Sequence, residues 1–263
     1  NAIDNRHDEL TKWLLLGLQD FDFIAESLLP EQYQDTEKNF AVGEMRYKTV
    51  LVPSLETIRK TTLDALKAFR ARGGKVIFMG DVPSYVDAIP SDEAKKLAEE
   101  CITIAWSKTA LMQTLEPYRF VDIRKGDGYP LGNVIYQLRD DGEKKHIFIS
   151  HLYREEYDAS PIVSSTVTLR GEWTVHEYCT MTGEKRRLAV TYENGKTSFP
   201  WISGVCDSLL LELTPSRDTE SEGYVFRAPR FIAAEYPAHK ASYTLEEPNV
   251  LLLDRPAFSI NGG

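Results

Sequence analysis

An acidic residue follows an apolar run in the segment KVIFMGDVPS, where Gly80 and Asp81 come directly after the run and Pro83 closes the loop. In an open α/β sheet, ligands and catalytic groups gather at the carboxyl ends of the strands, so Asp81 is well placed to bind or to catalyse. The segment also suits a plain turn, in which Asp81 accepts a hydrogen bond from a nearby backbone amide. The sequence leaves both interpretations open.

Four further carboxylates lie within a short span near the N-terminus: Asp20, Asp22, Glu26 and Glu44. Glycoside hydrolysis needs two carboxyl groups at a fixed separation, one of them with a raised pKa. Because the chain holds 40 acidic residues, chance clusters are expected, and these four also suit solvated or turn positions. The sequence gives no distances that would separate the two interpretations.

Motifs of metal, nucleotide and serine-hydrolase sites are absent from the sequence. It contains no HxH, HExxH or CxxC pattern, no Gly-rich phosphate loop and no GxSxG elbow. We therefore predict no metal, no cofactor and no disulfide framework. Two histidines, His146 and His176, fall in alternating runs and are interpreted as ordinary strand residues.

Helices and apolar strands alternate through the first 120 residues. The strands are predicted at FDFIAESLL, KTVLVPS, KVIFMG and ITIAW. The clearest helix is SLETIRKTTLDALKAFRARGG, with Ser54 as its expected N-cap and Gly73-Gly74 as its stop. This order predicts an α/β domain over residues 1–120, with a flavodoxin-like, mostly parallel sheet between flanking helices.

The pattern changes near residue 121 to period-two alternation. Turn signals at Asp141-Gly142, Arg170-Gly171, Thr182-Gly183 and Asn194-Gly195 predict an antiparallel β-sandwich over residues 121–216. Residues 223–263 are predicted to form strands that dock on the sandwich or begin a further sugar-binding-like domain. The sandwich aromatics suit either a sugar-stacking platform or the core; they are Trp173, Tyr178, Trp201 and Tyr224.

Composition excludes several classes of partner. The net charge of −9 and pI of about 5.2 disfavour nucleic acid and anionic membranes, which require a basic surface. No apolar run approaches the roughly 18 residues of a membrane helix. The ends of the sequence do not resemble natural boundaries, so we expect a segment of a longer protein.

Three phrases in the first half carry a family resemblance: Y-K-T-V-L-V-P, T-L-x-A-L-x-x-F and G-G-K-V-I-F-M-G. Over about residues 9–115 the chain resembles the class I glutamine-amidotransferase-like domain of large bacterial glycoside hydrolases, including the β-galactosidase trimerisation domain and its relatives in rhamnosidase-like enzymes. The phrase WTVHEYCTMTGEKRRL is similar to the β-sandwich that follows in such proteins. The ending EEPNVLLLDRPAFSINGG is similar to the entry into their sugar-binding-like sandwich.

The resemblance implies a fold without the amidotransferase reaction. True amidotransferases carry a nucleophilic cysteine where this chain has Gly80-Asp81-Val82-Pro83, and Cys101 precedes a strand instead of following one. The catalytic pair of such glycoside hydrolases commonly lies in another domain. Export to the periplasm or beyond is also implied, although three unpaired cysteines suit a reducing compartment equally well.

Three hypotheses follow. The favoured one is a non-catalytic accessory region that shapes an active-site rim or an interface, with other domains of the same polypeptide, a second copy of the chain or carbohydrate as partners. The second is an intact hydrolase site at the strand ends, and the third is a carbohydrate-binding module that uses the sandwich aromatics. The candidate ligand- or interface-binding residues are Glu26, Ser54, Gly80 and Asp81.

Overall fold

The computed structural model describes residues 2–35, 39–152, 162–204, 206–215, 223–227 and 244. The chain divides into two units, residues 1–227 and 228–263. The strands predicted over 223–263 lie outside the described residues, except for 223–227 and 244. No helix in the described part is both long and apolar enough to cross a membrane.

Short helices and strands alternate through the first half. In chain order they are α1 (Ala2–Leu16), α2 (Leu29–Gln32), β1 (Tyr33–Asp35), β2 (Phe40–Val42), β3 (Met45–Tyr47), β4 (Thr49–Val52), β5 (Thr57–Ile58), α3 (Lys60–Ala71), β6 (Lys75–Met79), β7 (Tyr85–Val86), β8 (Ile89–Pro90), α4 (Glu93–Glu99), β9 (Ile102–Ile104) and α5 (Lys108–Leu115). A 3-10 turn, Glu116–Tyr118, follows α5.

The strands β4, β6 and β9 form a parallel sheet with helices on both faces. In the central strand β6, Val76 and Phe78 pack with α3 and α4, whereas Ile77 and Met79 pack with α1 and α5. All four side chains are buried. A strand covered on both faces needs a continuous apolar run, which explains the segment KVIFM and confirms the predicted α/β class.

Two sequence predictions in this half were wrong. FDFIAESLL contains no strand; residues 18–28 are loop and turn. Ser54 does not cap α3, because the helix begins at Lys60, after the short strand β5. The N-cap is Arg59, whose extended backbone (φ −70°, ψ 143°) carries the chain from β5 into the helix. Thr57 and Ile58, which the apolar periodicity assigns to the helix, instead form strand β5 and pair with β7.

In the part of the second half that the structure describes, nine antiparallel strands follow. They are β10 (Val121–Lys125), β11 (Val134–Asp140), β12 (Lys145–His151), β13 (Ile162–Arg170), β14 (Trp173–Tyr178), β15 (Lys185–Arg187), β16 (Thr191–Glu193), β17 (Lys196–Gly204) and β18 (Ser208–Pro215). They form one four-stranded sheet, in the order β10-β13-β17-β16, and one five-stranded sheet, in the order β11-β12-β18-β14-β15. This arrangement confirms the predicted antiparallel sandwich.

The turn signals explain three of the hairpins. Asp141-Gly142 joins β11 to β12, and Thr182-Gly183 joins β14 to β15. Asn194 and Gly195, with φ of +50° and +70°, form the tight turn between β16 and β17, which is the conformation that an Asn-Gly pair favours. Arg170-Gly171 instead carries the chain from one sheet to the other.

The two sheets share one apolar core. The four-stranded sheet contributes residues such as Val167 and Phe199, and the five-stranded sheet contributes Ile147 and Leu211. Leu18, just beyond α1, is also part of this core and is 4% exposed. The segment that packs on the parallel sheet therefore also anchors the sandwich.

Candidate functional site

The carboxyl ends of the three parallel strands bring three side chains together. Ser54, Asp81 and Trp106 each lie two residues beyond the end of β4, β6 and β9, respectively. Strands of equal direction deliver their carboxyl ends to one edge of the sheet. Asp81 therefore lies at this edge of the sheet, and Ser54, which does not cap α3, lies beside it.

Arg6, from α1, completes this group. Its Nη1 donates to Ser54 Oγ at 2.6 Å and lies 3.3 Å from Asp81 Oδ2, and Ser54 Oγ donates to the same Oδ2 at 3.0 Å. The guanidinium carbon lies 5.4 Å from the centre of the Trp106 ring, and Trp106 Nε1 donates to Glu9 Oε2 at 2.9 Å. We call Arg6, Glu9, Ser54, Asp81 and Trp106 the strand-edge cluster.

Gly80 gives this edge its shape. Its φ is +79°, a region that side chains disfavour, and its N–H donates to Ile104 O at 2.9 Å. A Cβ at this position would lie 3.2 Å from Ser54 Cβ and 3.4 Å from a ring carbon of Trp106. The backbone conformation and the close packing of the two neighbouring loops therefore both favour glycine here.

The strand-edge cluster holds the carboxylate of Asp81 in a defined orientation, so it can offer a charged group to a ligand or a partner. The side chain of Asp81 is 80% exposed and pairs with a cation. A serine nucleophile needs a neighbouring base, usually an imidazole, whereas Ser54 Oγ is bonded to a carboxylate and a guanidinium. Burial raises the pKa of the Cys101 thiol, and this residue precedes β9, so it lies at the other end of that strand.

Glu26 has different partners from the strand-edge cluster. Its Oε2 accepts hydrogen bonds from Arg59 N at 2.7 Å and from Thr62 Oγ1 at 3.1 Å, at the start of α3. Asp87 Oδ1 accepts from Lys60 N at 3.1 Å. These two carboxylates accept hydrogen bonds from amides that have no partner within the helix. Their negative charge also interacts favourably with the positive end of the helix dipole. They also line a cavity of about 410 Å³.

Two of the early carboxylates lie near aromatic rings. Asp22 Oδ2 accepts a hydrogen bond from Tyr47 Oη at 2.8 Å; burial and this carboxylate raise the pKa of Tyr47. Partial burial of its carboxyl, followed by the charge of Asp22, raises the pKa of Asp20, although the residue as a whole is exposed. Burial, followed by the charge of Asp20, likewise raises the pKa of Tyr136 on β11. Glu44 is exposed in the turn between β2 and β3.

The sandwich aromatics do not form a common platform. Trp173 and Trp201 are buried in the core. Tyr178 is half-buried and donates to Glu212 Oε2 at 2.9 Å. Tyr224 lies against Arg186, whose guanidinium carbon is 3.9 Å from the ring centre. Of the predicted sugar-stacking residues, only the two tyrosines reach the surface.

Glu212, on β18, is the centre of a polar cluster that the sequence analysis missed. Its Oε1 accepts from Lys185 Nζ at 2.8 Å and from Lys144 Nζ at 3.2 Å, and its Oε2 lies 3.8 Å from His146 Nε2. The Lys185 hydrogen bond is the main cause of a pKa for Glu212 of about 2. Glu212 is the one charged residue in the largely apolar segment SLLLELTP, and this was the sequence signal for the cluster.

No group of three or more His, Cys, Asp or Glu side chains in the described ranges is arranged to hold a metal ion. The prediction that the protein uses no cofactor stays a prediction.

Comparison with known proteins shows the fold. No protein-family model matches the chain, and no curated protein matches it. A rhamnosidase from Novosphingobium sp. PP1Y superposes with a TM-score of 0.58 and 15% identity over 81% of this chain. An apo exo-carrageenase GH42 from Bacteroides ovatus (TM-score 0.48, 14% identity, 81% of this chain) and Gan42B, a GH42 β-galactosidase (0.48, 11%, 80%), are more distant.

These solved structures are glycoside hydrolases, and this chain spans only part of each. It covers 21% of the rhamnosidase, 27% of the exo-carrageenase and 35% of the β-galactosidase. At 15% identity, the likeness to the rhamnosidase is one of fold: an α/β region followed by a β-sandwich.

Proposed function

We propose that this chain is a non-catalytic accessory region of a glycoside hydrolase. In this proposal residues 1–120 are an amidotransferase-like domain of the β-galactosidase trimerisation type, residues 121–216 are the β-sandwich, and residues 223–263 dock on the sandwich or begin a further domain. The region shapes an active-site rim or an interface with other domains or a second copy of the chain. The observation that carries the proposal is that Asp81, in the strand-edge cluster, is exposed and paired with a cation.

Asp81 occupies the position at which the resembling amidotransferases carry their nucleophile. Its side chain is 80% exposed and is held by Arg6 and Ser54. A glycosidase acid requires an enclosed carboxyl group, whereas the side chain of Asp81 is open to solvent and ion-paired with Arg6. An oriented, exposed charge at the edge of a sheet suits contact with another polar surface.

The test is an activity assay of the purified 263-residue chain on p-nitrophenyl rhamnoside and galactoside. We expect a folded protein, by circular dichroism, whose turnover does not exceed that of its Asp81→Asn variant. Turnover by the chain that Asp81→Asn abolishes, without a loss of thermal stability, would overturn the proposal.

The raised pKa of Asp20 favours a second candidate, an intact hydrolase site. Asp20 and Asp22 would be the carboxyl pair of such a site, because the charge of Asp22 is the second cause of the raised pKa of Asp20. In the same assay, turnover that is lost in Asp20→Asn and kept in both Asp81→Asn and the exposed control Glu44→Gln would establish this candidate and reject the accessory role.

A further inference from the structure

The outer face of the five-stranded sheet carries a straight row of charged and ionisable side chains. The strand register places one residue of each strand side by side, and we call this set the charged row: Arg139, His146, Glu212, His176 and Arg187. Their neighbours in sequence, such as Ile147 and Leu211, point into the core, so the charged row points away from it.

A second row runs beside the first, two residues further along each strand. Its three central members, Phe148, Leu210 and Tyr178, are aliphatic or aromatic, and Gln137 and Lys185 lie at its ends. Phe148, near its middle, is 40% exposed. An exposed phenylalanine on a sheet face offers a flat apolar surface for a ligand ring.

The charge of this face is opposite to that of the whole chain. Glu212 is 6% exposed, and its oxygens already bind Lys144, Lys185 and Tyr178. Arg139 and Arg187 lie at the two ends of the charged row, and Asp141 lies at its rim, 4.0 Å from His146 Nδ1. Among these residues four cations outnumber two carboxylates, Glu212 and Asp141, which favours a local positive potential that attracts anions, in a chain with net charge −9.

The two rows have the dimensions of a short, extended ligand. Four strand spacings span about 19 Å, and the two rows lie about 7 Å apart. A short polymer with flat apolar rings and regularly spaced anions fits both rows.

We propose that the outer face of the five-stranded sheet binds an acidic oligosaccharide, a short glycan with carboxylate or sulfate groups. Its anionic groups lie along the charged row, paired with Arg139 and the lysines, and one sugar ring packs on Phe148. A binding face needs no catalytic pair, so it does not depend on the proposed accessory role.

Isothermal titration calorimetry on the 263-residue chain tests this proposal. The probes are tetragalacturonate, which carries carboxylates, a sulfated κ-carrageenan tetrasaccharide, and neutral maltotetraose. We expect at least one acidic probe to bind about tenfold or more tightly than maltotetraose, and to weaken between about 0.05 M and about 0.5 M NaCl. The acidic probe that binds identifies the anionic group.

Two variants locate the site. Arg139→Ala and Phe148→Ala should each weaken binding about fivefold or more, whereas Lys196→Ala, an exposed cation on β17 of the other sheet, should change it by less than about twofold. Thermal melting confirms that each variant folds. Failure of both acidic probes to bind, equal binding of maltotetraose, equal binding of a deca-glutamate peptide, or equal effects of the three variants would overturn the proposal.

Discussion

Two carboxylates of this protein are held by cations in very different surroundings. Asp81, in the strand-edge cluster, is 80% exposed, whereas Glu212, in the charged row, is 6% exposed. Exposed ion pairs contribute about 0–1 kcal/mol to stability, but a nearly buried carboxylate is costly to lose once its partners are fixed around it. The comparison indicates that the strand edge presents its anion to the outside, whereas the sheet face encloses its anion and presents the surrounding cations.

The largest difference should follow from deleting each carboxylate. Glu212→Ala should lower the free energy of unfolding by about 2–3 kcal/mol, because it leaves Tyr178 and two lysines without their shared acceptor. The lysines are more than a third exposed, so water recovers part of their interaction. Asp81→Ala should cost less than about 1 kcal/mol. Urea denaturation measures both, and equal losses would break the comparison.

A substitution at Gly80 tests how closely the loops of the strand edge are packed. Gly80→Ala should destabilise the protein by about 1–3 kcal/mol, because it combines a φ of +79° with a Cβ placed 3.2 Å from Ser54 Cβ. The matched control is Gly43→Ala, which also has a positive φ, +54°, but has no neighbouring atom within 4 Å of the added Cβ. A thermal melt in which both variants lose the same stability would show that packing at the strand edge is unimportant.

The smallest effect concerns pH. Burial, followed by the charge of Lys185, lowers the pKa of His176 below its usual 6.5, with Glu212 opposing. The unfolded chain therefore binds this proton more readily, and the free energy of unfolding should fall as the pH drops through about 6.5. His176→Gln should remove this part of the pH dependence.

Denaturation midpoints at about pH 7.5 and about pH 5.5 measure this change, with the exposed His7→Gln as control. If the difference between the two midpoints in His176→Gln equals that of the wild type, the fold does not lower the pKa of His176.

Local pattern was sufficient to predict much of the fold. The continuous apolar run of β6 and the Asn194-Gly195 turn each identify their structure, because the required contacts lie within a few residues. The start of α3 could not be predicted in the same way. It depends on the pairing of β5 with β7 and on the distant carboxylates of Glu26 and Asp87, which bond to its first amides.

The candidate sites show the same limit more strongly. Asp81 was identifiable from its place after a strand, but its partner Arg6 is 75 residues away on a helix. His146 and His176 were interpreted as unremarkable strand residues, and taken singly they are. Only the insertion of β18 between β12 and β14 brings both histidines beside Glu212. The alternation of apolar and polar residues within a strand does not predict this order of strands.

The position of Leu18 has a mechanical consequence. Its neighbours in α1, Leu10 and Leu14, pack on the parallel sheet, while Leu18 itself, with a φ of +53°, enters the core of the sandwich. Bending the connection would pull a buried leucine into water at a cost of about 2 kcal/mol, before any other contact is broken. Leu18 therefore couples the packing of the α/β half to that of the sandwich, because displacing α1 also disturbs the sandwich core.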